Sequence, residues 1–241
     1  MYTTIKKVIM FPIRDTIRSR SFPIVNWTII ILNVLVFFFQ SNLSAGGLER
    51  FVDDFALIPA RVDLSQPMSL MPFFTHIWLH GSLLHIISNM WMLVIFGDNV
   101  EDRLGSGRYL LFYILGGIAA GVLQYLFSVN PNIPAVGASG AIAAVMGAYF
   151  LFFPRSQVVT FVPIFIFGWF VNLPSFIFLG IWFGTQVLSG VVELTTMAGS
   201  DMGGVAWWAH IGGFAFGLLM GNLFAVGRKA RPQYRDEYNP W

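Results

Sequence analysis

The chain has 241 residues, 56% of them hydrophobic and only 11% charged, where a soluble domain carries about a quarter charged residues. A net charge of +2 with no basic stripe among aromatics argues against nucleic acid as a partner, and the lack of cysteine excludes disulfides, thiol catalysis and cysteine metal sites. What remains is a polytopic membrane protein, long enough for one compact helical bundle and no separate soluble domain.

In chain order, residues 1–22 form a basic segment with Lys6, Lys7, Arg14, Arg18 and Arg20. The first apolar run begins only after Phe22 and no small-residue cleavage site follows, so it is expected to stay as a membrane helix rather than act as a cleaved signal. Apolar runs and their breakers predict six spans at 23–40, 82–97, 107–129, 139–153, 173–191 and 204–226, the second continuing as helix towards Arg103. The loop 41–81 carries Glu49, Asp53, Asp54 and Asp63 but is rich in Phe, Leu and Met; it is expected to be partly embedded in the membrane. The apolar stretch 158–170 is broken by Pro163 and Gly168 and reads as an interfacial connection, because a seventh span would put the basic tail on the other side. Residues 227–241 are that tail, with Arg228, Lys229, Arg231 and Arg235.

With six spans, these basic residues fall on the same side as Arg103, Arg108 and Arg155, which the positive-inside rule makes cytoplasmic. The expected fold is therefore an all-α, six-helix membrane bundle over residues 23–226, with a large first loop and both termini in the cytoplasm. A bacterial plasma membrane is the default setting for so short a chain.

Polar residues inside apolar spans are costly and point to function. Ser139 opens span four in Gly137-Ala138-Ser139-Gly140, and His210 lies in span six in Trp207-Trp208-Ala209-His210-Ile211-Gly212-Gly213. His85 and Asn89 share one face of span two. Spans two, four and six all run inwards, so these residues lie in the outer half of the bilayer. Span four, at about 22 Å, is shorter than the roughly 30 Å hydrocarbon core, so the preceding segment 130–134 is expected to dip inwards and line a wet cavity. Gly213, Gly217 and Gly221 continue the His210 face, and Ser139, Ala143 and Gly147 form a matching small-residue face. Such faces let helices approach closely in lipid, which would bring Ser139 next to His210.

A serine becomes a nucleophile when a base takes its proton, and His210 is the base in reach. No Asp or Glu lies inside a predicted span, which implies a dyad rather than a triad. The backbone N–H of Ser139, with His85 and Asn89, would serve the oxyanion, and Gly137 is grouped with this oxyanion set. Other readings stand beside these: Ser139 as a helix N-cap, Asn89 as an amide that joins helices, and Trp207-Trp208 as an interfacial anchor. His76 and His80 have the spacing for a shared metal on a helix but lack a His-Glu-x-x-His motif, so no metal is expected. Phe176, Phe178, Trp182 and Phe183 make span five a candidate gate or a lipid-facing wall.

Together these residues resemble the rhomboid family of intramembrane serine proteases. The likeness rests on Gly137-Ala138-Ser139-Gly140, on Ala209-His210 with Gly213 and Gly217, on His80, His85 and Asn89, and on the run from Phe96 to Gly105. The resemblance implies Ser139 as nucleophile, His210 as base, His85 and Asn89 as oxyanion stabilisers, and no cofactor. It implies single-pass membrane proteins as substrates, cut in or near the membrane at small residues. His80, Gly140 and Gly213 are expected to support the site. Some members carry an aromatic residue where Ala143 stands, packed on the catalytic histidine, so another group must hold His210 here. Some also carry Trp-Arg near Leu70-Met71, which is absent from this loop. The alternatives are a non-catalytic relative that binds membrane clients, and a transporter that uses the polar cavity. The sequence leaves the oligomeric state open.

Overall fold

The computed structural model describes residues 11–164, 167–196 and 205–228. Lys6, Lys7, Lys229, Arg231 and Arg235, used above for orientation, lie outside the described residues, as does Gly204 at the expected start of span six.

The chain is mostly helical. Helix α1 (Ile24–Ser41) is followed by α2 (Ala45–Phe55), a single turn α3 (Pro72–Thr75), α4 (Leu83–Leu104), α5 (Ser106–Phe127), α6 (Ser139–Phe152), α7 (Ser175–Thr196) and α8 (Trp207–Phe224). By length and composition α1, α4, α5 and α7 can cross a membrane, and α6 is a shorter apolar helix. Helix α4 does continue past Gly97, as expected, ending where Gly105 turns the chain with a φ of +80°.

Glu101, on the last turns of α4, organises this end of the bundle. Its carboxylate accepts the backbone N–H groups of Val25 at 3.1 Å and Asn26 at 2.8 Å, and the Ser106 hydroxyl at 2.6 Å. A buried acceptor is thereby matched to the unpaired amides that begin α1. One turn earlier, Gly97 has no side chain where the Asn26 amide packs, and Asn26 in turn accepts from the Tyr109 hydroxyl at 2.7 Å. The first three long helices are joined through these buried groups.

The expectation of an all-α chain needs a correction. Residues 157–164 and 167–174 form two antiparallel strands, β2 (Gln157–Ile164) and β3 (Phe167–Pro174), and β1 (Phe11–Asp15) adds to the edge of β2 in the order β1-β2-β3. The reason is local. Val158, Val159, Thr160 and Val162 are β-branched residues that favour a pleated strand. Pro163 and Gly168, which break a helix, lie opposite each other in the hairpin, and the Phe161 ring fills the space that Gly168 leaves. Residues 11–15 are accordingly part of the folded body and not a free tail.

The edge strand β1 is fastened to the helices near both of its ends. The Trp91 indole on α4 donates to the Pro12 carbonyl at 2.7 Å. Asp15 receives the Tyr149 hydroxyl of α6 and the Asn99 amide of α4 at 2.9 Å. Burial pushes the Asp15 carboxyl well above the usual carboxylate range, Asp98 adds to this, and the Tyr149 hydroxyl opposes it.

Candidate active site

Ser139 is the first residue of α6, and the chain delivering it is held on both sides. Leu57 and Ala135 exchange backbone hydrogen bonds of 3.1 and 2.8 Å, and Ala60 N–H donates to the Pro131 carbonyl at 2.8 Å. Gly137 N–H donates to the His76 carbonyl at 2.9 Å. The loop 41–81 and the segment 131–137 therefore brace each other beside the serine.

Ser139 faces α8 because α6 and α8 touch backbone to backbone. A Cβ on Gly213 would collide with the Gly140 carbonyl, one on Gly217 with the Ala144 carbonyl, and one on Gly147 with the Phe214 carbonyl. Gly140 packs the same way against Ala120 of α5, where a Cβ would come within 2.5 Å of a methyl group. The small-residue faces read from the sequence are in contact, and dispersion between closely apposed helices is what such faces provide in lipid.

The result is a hydrogen bond of 2.8 Å between Ser139 Oγ and His210 Nε2. Ser139 makes no side-chain capping bond; Ala138 occupies the cap position. On the far side of the ring, His210 Nδ1 lies 2.8 Å from Gln186 Oε1 on α7. Trp182 of α7 packs on the ring at 5.8 Å between centroids, and Trp207 meets it edge-on at 6.3 Å. These groups hold the ring in place of an aromatic residue at position 143, where Ala143 is buried. The second tryptophan, Trp208, instead stacks on Phe127 at 4.6 Å.

His85 and Asn89 line the same cavity as Ser139 and His210. His85 Nδ1 accepts the Gly81 N–H at 3.4 Å, a long bond that puts the ring proton on Nε2. The Asn89 Nδ2 donor is buried and has no hydrogen-bond partner among the described residues. Two side-chain donors thus stand at the cavity wall. The N–H of Gly137, which was grouped with the oxyanion set, donates to the His76 carbonyl. The value of Gly137 is steric. It has a φ of +126°, in the region that favours glycine, and a Cβ there would meet the His85 ring at 2.7 Å. His80 is buried and stacks edge-on to His85 at 5.1 Å, while its backbone N–H donates to Gln40 at 3.1 Å.

The cavity measures about 640 Å³. Its lining combines polar residues, Ser82, His85, Ser88, Asn89, Ser139 and His210, with apolar ones that include Met92, Ile142, Met146, Phe178 and Pro12 of β1.

A Rhomboid domain model matches residues 67–226 of this chain. The chain belongs to the rhomboid family. The match spans the helices that bring Ser139, His210, His85, Asn89 and Gln186 together. Curated relatives include RHOMBOID-like protein 1 of Arabidopsis thaliana, 29% identical over 239 residues, which cover 88% of this chain and 55% of that protein. They also include Rhomboid protease GlpG of Salmonella choleraesuis (strain SC-B67), 27% identical over 231 residues, which cover 92% of this chain and 70% of that protein. The chain thus spans about half the length of the plant relative. Family and apolar helices together make this rhomboid an integral membrane protein.

Gln186 is the site residue that sequence reasoning passed over. The signal was present: it is an amide within an apolar span, one turn from Trp182, the same kind of anomaly that singled out Ser139 and His210. Helix α7 also runs past residue 191, so that buried Glu193 falls inside a helix after all; the group against His210 is nevertheless Gln186.

Proposed function

We propose that this rhomboid is an intramembrane serine endopeptidase in which Ser139 is the nucleophile and His210 the general base. The observation that carries the reading is the 2.8 Å bond between Ser139 Oγ and His210 Nε2 in a cavity that holds spare donors.

The chemistry follows from the positions. A substrate carbonyl carbon approaches Ser139 Oγ as the hydroxyl proton passes to His210 Nε2. The developing oxyanion accepts hydrogen bonds from His85 Nε2–H, Asn89 Nδ2–H and the Ser139 N–H. The tetrahedral intermediate collapses, and His210 returns its proton to the leaving amine. Water then attacks the acyl-enzyme, again with His210 as base, and releases Ser139.

Substrates on this reading are single-pass membrane proteins, reaching the cavity from the lipid and unfolding locally to present a peptide bond. The membrane body is residues 23–226 with six spans, embedded in a bacterial inner membrane with both termini cytoplasmic and the cavity open to the other side. The test is cleavage of a reporter with one Gly/Pro-containing span and small residues outside it. Intact protein cuts it, while Ser139→Ala and His210→Ala each lose at least about a thousandfold in rate. Equal cutting by all three forms contradicts the assignment. A non-catalytic binding protein would capture the reporter without cutting it in any form.

A further inference from the structure

Gln186 sits where a serine triad would have an acid, and its own bonds leave it little freedom. Its Nε2 donates to the Trp182 carbonyl at 3.1 Å, one turn back on α7, and lies 3.0 Å from the Thr185 hydroxyl oxygen. The Thr185 hydroxyl donates its own proton to the same Trp182 carbonyl at 2.6 Å, so its oxygen is available as an acceptor. Both amide protons therefore have acceptors on α7, and Oε1 is the end presented to His210. A flipped amide would set Oε1 against a carbonyl and a hydroxyl oxygen that has already committed its proton, losing both bonds.

This arrangement decides the tautomer. With Oε1 at 2.8 Å, His210 Nδ1 must carry the proton, which leaves the lone pair on Nε2 facing the Ser139 hydroxyl. The opposite tautomer would set a lone pair against Oε1 and a proton against the serine, and it could not accept the Ser139 proton. Trp182 limits rotation of the ring from one side and Trp207 from another.

We propose that Gln186 is a positioning residue that holds His210 in the base-competent tautomer and orientation, an uncharged counterpart of the acid in a serine triad. The proposal rests on the Ser139–His210 reading. An amide suits the setting: it accepts the Nδ1–H bond without placing a carboxylate at membrane depth, where an isolated charge is costly. It takes up no proton itself, so the proton travels only between Ser139, His210 Nε2 and the leaving amine. Because Gln186 and Trp182 both belong to α7, the base is fully oriented only while α7 is seated against α8.

The experiment compares Gln186→Leu and Gln186→Glu with intact protein, full-length in detergent and in liposomes. Two readouts are followed, reporter cleavage and the rate at which a serine-reactive phosphonate labels Ser139. General-base assistance is worth about 10²–10⁴-fold, and disordering the base forfeits part of it. Gln186→Leu is therefore expected to lower kcat by about 10- to 100-fold with KM within about twofold, and to slow labelling in parallel. Gln186→Glu, which restores an acceptor for Nδ1–H, is expected to recover most of that loss. Unchanged kcat in Gln186→Leu overturns the proposal. So does a fall in which leucine and glutamate behave alike and the melting temperature drops with them, since that is a packing role. If the leucine variant does not fold, Gln186→Met at similar length gives the same comparison. Failure of intact protein both to cleave and to label sinks the protease reading itself; activity that is indifferent to Gln186 sinks only this inference.

Discussion

At the scale of single residues, the site depends as much on what is missing as on what is present. Gly213 carries no chemistry, yet a methyl group there would strike the Gly140 carbonyl one residue beyond Ser139. The Ser139–His210 bond needs α6 and α8 at backbone contact, and a 1 Å displacement would leave a poor hydrogen bond. Gly213→Ala is expected to destabilise the protein by about 1–3 kcal/mol, the usual effect of overpacking. It should reduce cleavage more than this loss of stability explains, because the helices separate next to the dyad. Thermal unfolding and kcat measured on the same preparation check both parts. Gly137 illustrates the same logic in a turn: a positive φ and the His85 ring leave no room for a side chain, although its amide is committed to His76.

At the scale of elements, the sheet is the least expected feature, and it is tied to the helices through a buried acid. Asp15 of β1 meets Tyr149 of α6 and Asn99 of α4, and Asp98 stands nearby. Since burial raises the Asp15 carboxyl, the fold favours its protonated form. The stability it contributes is fully present below the ordinary carboxylate range and is lost as pH rises through the raised folded value. The melting temperature is expected to fall along that rise, and Asp15→Asn, which keeps an acceptor oxygen without a charge, is expected to flatten the slope. An unchanged slope in Asp15→Asn would assign the effect to another group. The helices were legible in the sequence because apolar runs with polar breaks admit few alternatives in a membrane. Ser139 and His210 were legible because ionisable and nucleophilic groups are rare there. The hairpin was not, since an apolar run with Pro163 and Gly168 reads equally as a loop, and its pairing with residues 11–15 is a contact more than 140 positions away. Gln186 was hidden for a different reason: an amide in a span has many bland uses, and only the facing of α7 towards α8 gives it a role.

At the scale of the whole molecule, one cavity joins most of these parts. Helices α4, α6, α7 and α8 contribute lining residues, and Pro134 of the segment 130–134 and Pro12 of the strand β1 line it as well. Ser139, His210, the side-chain donors on α4 and the amide on α7 thus come from four different helices, so that they meet only when the bundle closes. The account stands on an activated serine, and that can be read without knowing any substrate. Intact protein, Ser139→Ala and His210→Ala are exposed in liposomes to a serine-reactive fluorophosphonate, and the adduct is mapped by mass spectrometry. The account predicts an adduct on Ser139 in intact protein and, with Ser139 still present, labelling slowed by at least about a hundredfold in His210→Ala. Labelling of Ser139 at the same rate without His210, or an adduct only on some other serine, would contradict it.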